Sequence, residues 1–344
     1  MGKSGNKIAH YFTTLSVALV FATQLSAQSS VQPLLSDTLV NSRYPLYPLL
    51  KILSVSYDQA FQSDYHIKYK GAPDESGQFS RGRSQAYLWV PFVQKKYFTL
   101  SFATTFTRDD VQIENVKNPS GVYLDGNTIL DDYNTSVNVN YRTKLFSRQL
   151  VINGSLFAGT SPAFKFRKWS GQVFALLIIK DMPNTIWSVG LVGTIDPSAA
   201  TPVLPLTTFW HRFDDPDWEL DVVFPQSVKI RRSHTLGGWI SAGADLASPS
   251  FFIRNIPGQS QTYESAFTEI TPNLSYDAYL FKNILLTVQG GYRIDTGGRL
   301  LKVNDPAKDK IATVDFSAGP YARAGISFVI PNWKIRQTLD NARK

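Results

Sequence analysis

The chain has 344 residues, 43% of them hydrophobic and 13% aromatic, with no cysteine and a formal charge of +8. Without cysteine there are no disulfides, no thiolate catalysis, no cysteine metal site and no lipoprotein anchor. The basic residues are scattered rather than clustered, which argues against a nucleic-acid partner.

Lys3, Lys7 and His10 open the chain, Phe12 to Leu25 is apolar or small, and Leu25-Ser26-Ala27 precedes Gln28. That order predicts a signal peptide over residues 1–27, cleaved near Ala27/Gln28. Thr13, Thr14, Ser16 and Thr23 make the apolar stretch a poor spanning helix. Cleavage removes Lys3 and Lys7 and leaves 33 basic residues against 27 acidic ones. No later stretch reaches about eighteen apolar residues. The longest, near Val173–Ile179, stops at Lys180 and Asp181. The exported chain is then either a soluble protein or one that spans a membrane as a barrel.

Residues 28–50 read as a periplasmic lead-in. From Lys51 onward the hydrophobic period is two. In Tyr97–Thr107, Phe98, Leu100, Phe102 and Phe106 share one face while Thr99, Ser101, Ala103, Thr105 and Thr107 share the other. Tyr133–Arg142 alternates in the same way, as do stretches near Ile52–Phe61, Arg83–Phe92, Gln149–Gly159, Ser170–Ile179, Thr185–Ile195, Trp218–Phe224, Thr235–Leu246, Ala266–Phe281, Ile284–Asp295 and Asp315–Ile330. These runs of about ten residues suit tilted membrane strands, whereas soluble sandwich strands are nearer 5–6. Their polar faces carry Asn, Ser, Thr and Gly rather than the Lys and Glu of a water-facing sheet.

Short links (Gln94–Lys96, Phe146–Arg148, Lys180–Asn184, Phe281–Asn283) alternate with long ones (Gly71–Gly82, Asp109–Asp132, Gly159–Arg167, Ala247–Gln261, Gly297–Lys310). In outer-membrane barrels the short turns are periplasmic. Trp89, Tyr97, Tyr141, Trp169, Trp187 and Tyr279 are placed to form interfacial girdles. The fold expected over 51–330 is an all-β, transmembrane, antiparallel up-and-down β-barrel of about twelve strands. Pro202, Pro205, Pro216 and Pro225 crowd the region around 196–234 and favour twelve; counting every short strand there gives fourteen.

Trp218-Glu219-Leu220-Asp221-Val222-Val223-Phe224-Pro225 followed by Val228-Lys229-Ile230-Arg231 resembles the central motif of an uncharacterised family of outer-membrane barrels of diderm bacteria. Leu204-Pro205-Leu206 and the closing Ala324-Gly325-Ile326-Ser327-Phe328 fit the same pattern. The resemblance spans roughly Lys51 to Ile330 and implies the barrel fold but no activity and no functional residue. Such barrels often end on an aromatic read by the barrel-assembly machinery, a role that falls to Phe328. Pro331–Lys344 departs from that pattern as a polar periplasmic tail.

Catalytic constellations are sparse. The exported chain has His66, His211 and His234. His211 precedes Asp214 and Asp215, and Ser233 adjoins His234, but neighbours on a strand point to opposite faces. No metal, phosphate-loop or calcium-loop spacing occurs, so no cofactor is expected. By alternation Asp58, Arg142, Glu219, Asp221, Asp245, Glu269, Asp277, Arg293, Asp315 and Arg323 point into the lumen. A lumen lined by both signs serves either a selective water-filled path or cross-barrel ion pairs that close it. The expected activity is a narrow channel or binding barrel for small solutes, set in outer-membrane lipid. The alternatives are a lipid-modifying enzyme using His211 or His234, and a structural barrel whose tail meets a periplasmic partner through Lys334, Arg336, Arg343 and Lys344.

Overall fold

The computed structural model describes residues 51–71, 73–119, 126–160, 166–199, 201–253 and 262–329. The expected signal peptide, lead-in and tail lie outside the described residues. The strands, in chain order, are β1 (Lys51–Tyr69), β2 (Glu75–Lys95), β3 (Phe98–Lys117), β4 (Gly126–Leu145), β5 (Arg148–Thr160), β6 (Phe166–Met182), β7 (Thr185–Ile195) and β8 (Val203–Arg212). They continue with β9 (Trp218–Phe224), β10 (Ser227–Thr235), β11 (Gly238–Ala247), β12 (Ser250–Ile253), β13 (Tyr263–Phe281), β14 (Ile284–Lys302), β15 (Ala312–Phe316) and β16 (Gly319–Val329).

All ladders are antiparallel, and β1–β16 pairing closes the sheet. β11 and β12 are one interrupted strand: Ala247 opposes Glu269 and Ser250 opposes Ala266 in an unbroken register. β15 and β16 likewise continue one register along β1. Among the described residues the ring therefore has fourteen strands, the alternative count and not the preferred twelve. The prolines explain the difference. Pro205 lies in β8 where β9 no longer reaches, so its missing N–H breaks no ladder on that side. Pro225 sits in the tight turn between β9 and β10.

The outer surface is apolar over its middle: Leu53, Val55, Val139, Val173, Leu191, Val288 and Ile326 are all exposed. Such a belt on a closed barrel faces lipid, because only closure satisfies every backbone donor and acceptor in hydrocarbon. Tyr97, Tyr141, Trp169, Trp187 and Tyr279 point outward as girdle residues should. Trp89 does not: it is buried on the lumen side of β2 against Ala103.

The wall is uneven. β1–β4, β13 and β14 have 19–21 residues, whereas β7–β11 have 7–11. The tall strands rise well beyond a bilayer crossing of about ten residues. Several long links are accordingly shorter than expected: β2 begins at Glu75, β3 continues to Lys117 and β14 to Lys302. Above the level of Tyr133, β4 has no partner in β5, and above Asp245, β11 has none in β10. There β12 bends inward to lie alongside β4. The tall strands thus narrow to a smaller enclosure at the long-loop end. Tyr65, Phe79, Val111, Ile113, Phe251 and Phe267 fill it as an apolar core.

Three neighbouring strands carry an irregularity at one height. These are Phe61–Gln62 in β1, Gly297 (φ 62°) in β14, and Ser317–Ala318 between β15 and β16. An extra residue reverses which side chains face inward. Asp58 and Ala60 are buried below this row in β1, Tyr65 and Ile67 above it. Tyr321 is buried below it in β16, Ala312 and Val314 above it in β15.

Candidate functional site

Below the apolar core lies a band of eight charged side chains. Arg81 and Arg83 come from β2, Asp109 from β3, Glu269 from β13, Arg293 and Asp295 from β14, Asp58 from β1 and Arg323 from β16. Arg83 donates from Nε and Nη2 to the two oxygens of Asp109 at 2.7 and 2.9 Å. It also donates from Nη1 and Nη2 to Glu269 at 2.8 and 2.9 Å. Arg81 reaches Glu269 at 2.7 Å and Asp295 at 3.6 Å. Asp58 accepts from Arg293 at 2.6 Å and from Arg323 at 3.0 Å. Four cations face four carboxylates, so the buried band is neutral, the condition under which such burial is tolerated. Its guanidiniums also meet the core above. Arg81 lies 5.4 Å from the Phe267 ring centre and Arg83 5.6 Å from that of Phe251, which joins the ionic and apolar layers through cation–π contacts.

On the short-turn side of this band the lumen holds a cavity of about 400 Å³ that extends as far as Lys51, Asp277 and Ser327. Its charged walls comprise Lys51, Arg83, Lys229, Arg231 and Arg323 against Asp132, Asp221, Asp245, Glu269 and Asp277. Lys229 pairs with Asp245 at 2.8 Å and Arg231 with Asp221 at 2.7 Å. Ser241, Ser248, Gln226 and Arg323 line the cavity, and Ser241 Oγ, Ser248 Oγ, Gln226 Oε1 and Arg323 Nε are buried with no hydrogen-bond partner among the described residues. Val223, Leu246 and Phe251 complete the wall with apolar surface. The cavity thus offers donors, acceptors and both signs of charge around a volume suited to a small molecule.

The lumen-facing residues expected from alternation are mostly brought together here. Asp58, Glu269, Arg293 and Arg323 belong to the ionic band; Asp221, Asp245 and Asp277 line the cavity. Glu219 is buried beside it, accepting from Trp210 Nε1 at 3.2 Å. Arg142 is half-buried on β4, toward the short turns. Asp315 is the correction: it is exposed on β15, because the extra residue at Ser317–Ala318 turns Val314 inward in its place. Phe328 faces outward on the last strand.

Arg81, Arg83, Asp109 and Asp295 form the centre of the band, yet sequence reasoning missed their role. Arg81 and Asp109 lie in the expected links Gly71–Gly82 and Asp109–Asp132, because a bilayer crossing needs only about ten residues per strand. The signal was present: Asp109, Val111 and Ile113 alternate with Asp110, Gln112 and Glu114, and Phe79, Arg81 and Arg83 with Ser80 and Gly82. A second buried cluster was missed in the same way. Lys168 on β6 donates to Glu264 of β13 at 3.0 Å and to Asp196 at 2.8 Å, tying the β6 wall to the back of β13.

Among the described residues, His211 and His234 are not placed as a relay. His234 Nδ1 lies 2.8 Å from Asp217 Oδ1 and 3.1 Å from Ser233 Oγ, so one nitrogen meets both partners. A nucleophile relay needs the serine on one ring nitrogen and the acid on the other. His211 meets Thr185 Oγ1 at 2.9 Å through Nδ1 and lies between Phe209 and Phe213. At the exposed turn before β9, the His234 hydrogen bond holds the Asp217 carboxyl below the usual carboxylate range.

No family model matches the chain, and no curated protein matches its sequence. Among solved structures, an outer-membrane channel from Pseudomonas putida F1 is 14% identical, with 80% of this chain and 94% of that one covered and a TM-score of 0.38. A FadL homologue from Pseudomonas aeruginosa is 11% identical over 89% and 99% of the two chains, also with a TM-score of 0.38. Outer membrane phospholipase A from Escherichia coli is 9% identical over 87% and 98%, with a TM-score of 0.32. None of these likenesses carries an activity over to this chain. Closed antiparallel ring, even strand number, lipid-facing belt and short turns at one end make the chain an outer-membrane β-barrel.

Proposed function

We propose that the protein is a binding barrel for small polar solutes, which enter the lumen from the short-turn, periplasmic end and meet a stopper toward the long loops. The observation that carries this reading is the cavity of about 400 Å³, walled by equal numbers of cationic and anionic side chains. Ser241, Ser248 and Gln226 add polar side chains to that wall, and their buried oxygens have no hydrogen-bond partner among the described residues. The balanced charge favours neutral polar or zwitterionic molecules over ions of one sign. The apolar core and the ionic band above it stand against a permanently open pore.

Because the chain has no cysteine, single thiols test the reading directly. In the reconstituted barrel, S241C is expected to react with a small charged thiol reagent and V111C, in the apolar core, to stay protected. Planar bilayers holding the wild-type protein are expected to show no steady conductance. An unreactive S241C, or steady conductance of the unmodified barrel, would overturn the proposal.

A further inference from the structure

Each link at the short-turn end carries a large exposed apolar side chain, and in five of the six a cation lies within two residues of it. The apolar residues are Tyr97, Phe146, Met182, Phe213, Leu236 and Phe281, one at or next to each of the six links. The cations within two residues of them are Lys96, Lys144, Lys180, Arg212 and Lys282; the Leu236 tip has none that close. Two of the apolar residues sit where the backbone disfavours them. Phe146 and Leu236 each have φ 51°, followed by Ser147 at 62° and Gly237 at 79°. Two-residue hairpin turns of this kind ordinarily take Asn-Gly or Asp-Gly, because a bulky side chain at positive φ crowds its own carbonyl. Yet Phe146 is 84% and Leu236 87% exposed, so no packing within the barrel compensates. Water is the wrong surrounding for such tips; the boundary between headgroups and acyl chains is the right one.

The charge has its own layout. Lys282, Lys96, Lys144, Arg148 and Lys180 follow one another around the ring, from the β13–β14 turn past β1 to the β6–β7 turn. In those four turns only Asp181 is acidic; Asp214, Asp215 and Asp217 are confined to the β8–β9 link on the other arc. Lys96 Nζ rests 5.3 Å from the centre of the Tyr97 ring, which holds an ammonium at the depth of an interfacial aromatic. A docked protein would meet one arc. The apolar anchors instead recur around the whole circumference, as contact with a continuous medium requires.

We infer that this rim is a collar for anionic phospholipid: the turn tips enter the leaflet on the short-turn side and the basic arc binds lipid phosphates. Each basic side chain near an anionic leaflet contributes about fivefold to association, and salt weakens it. The test uses the full chain, folded into vesicles of phosphatidylcholine with and without phosphatidylglycerol. F146C carrying a polarity-sensitive fluorophore is expected to show blue-shifted emission. Energy transfer to labelled phosphatidylglycerol is expected to show enrichment around the barrel, suppressed by salt. The variant K96Q/K144Q/K282Q is expected to lose at least about tenfold of that preference. K117Q/K302Q/K308Q, which removes three exposed lysines at the long-loop end, is the charge-matched control and is expected to keep the enrichment. Water-like emission from F146C in both vesicles, or equal enrichment by wild type and the triple variant, would overturn the inference. A rim that serves a protein partner alone would give that second result.

Discussion

Arg83 on β2 and Glu269 on β13 share two hydrogen bonds, of 2.8 and 2.9 Å, although β1, β16 and β14 lie between their strands in the ring. The contact therefore crosses the lumen. It fixes the distance between two walls at the height where the polar cavity ends and the apolar core begins. Through Arg81 and Arg293 the same carboxylate touches three guanidiniums.

Removing that carboxylate leaves one buried cation in excess. E269Q is expected to lower the stability of the folded barrel by about 3–5 kcal/mol, the usual consequence of breaking a buried pair on one side. Unfolding in urea, followed from phospholipid vesicles, measures it as a lower midpoint at unchanged slope. E269D keeps the charge but shortens the arm, and is expected to fall between wild type and E269Q. A midpoint unmoved in E269Q would show that the band carries little of the stability.

The apolar core makes a separate prediction. Phe251 is fully buried, packs against Phe267 with ring centres 6.0 Å apart and covers Arg83. F251A is expected to cost about 3–5 kcal/mol as a large-to-small core change. It also removes the aromatic roof above the ionic band on the inward-bent strand β12. In planar bilayers the variant is expected to show conductance steps that the wild type lacks. Loss of stability without any conductance would place the barrier in the ionic band rather than in the apolar core.

The row of extra residues in β14, β16 and β1 is testable by chemistry. V314C is expected to be protected from a polar thiol reagent and D315C to react readily, the reverse of what uninterrupted alternation predicts. This is also where the sequence became hard to read. The ring, the lipid belt and most lumen charges were legible because period-two alternation persists for whole strands, as in Tyr133–Arg142. The extra residues were not, because Gln62, Gly297 and Ser317 are small or polar and fit either face equally well. Asp315 was misplaced for that reason, although its strand was recognised. The charged band was hidden for another. Arg81 and Asp109 lie on strand extensions beyond the length a bilayer needs, so hydrophobic thickness gave no reason to extend those strands.

The last prediction concerns Asp217, Ser233 and His234, which meet at the exposed end of the β8–β9 link. The His234 hydrogen bond lowers the Asp217 pKa, and the Ser233 hydroxyl adds to the effect. A carboxyl depressed in the folded state contributes stability above its unfolded value and loses it as pH falls through the depressed one. The contact is therefore fully present at neutral pH and weakens only in acid. In H234A the Asp217 titration, followed by carboxyl NMR, is expected to move up toward the ordinary value of about 3.9. Ser233 is expected to resist a fluorophosphonate probe at neutral pH, because Asp217 and Ser233 compete for the same imidazole nitrogen and no second nitrogen is turned toward the hydroxyl. Labelling of Ser233 that disappears in H234A would reverse this assignment and return the turn to consideration as a lipid-hydrolysing site.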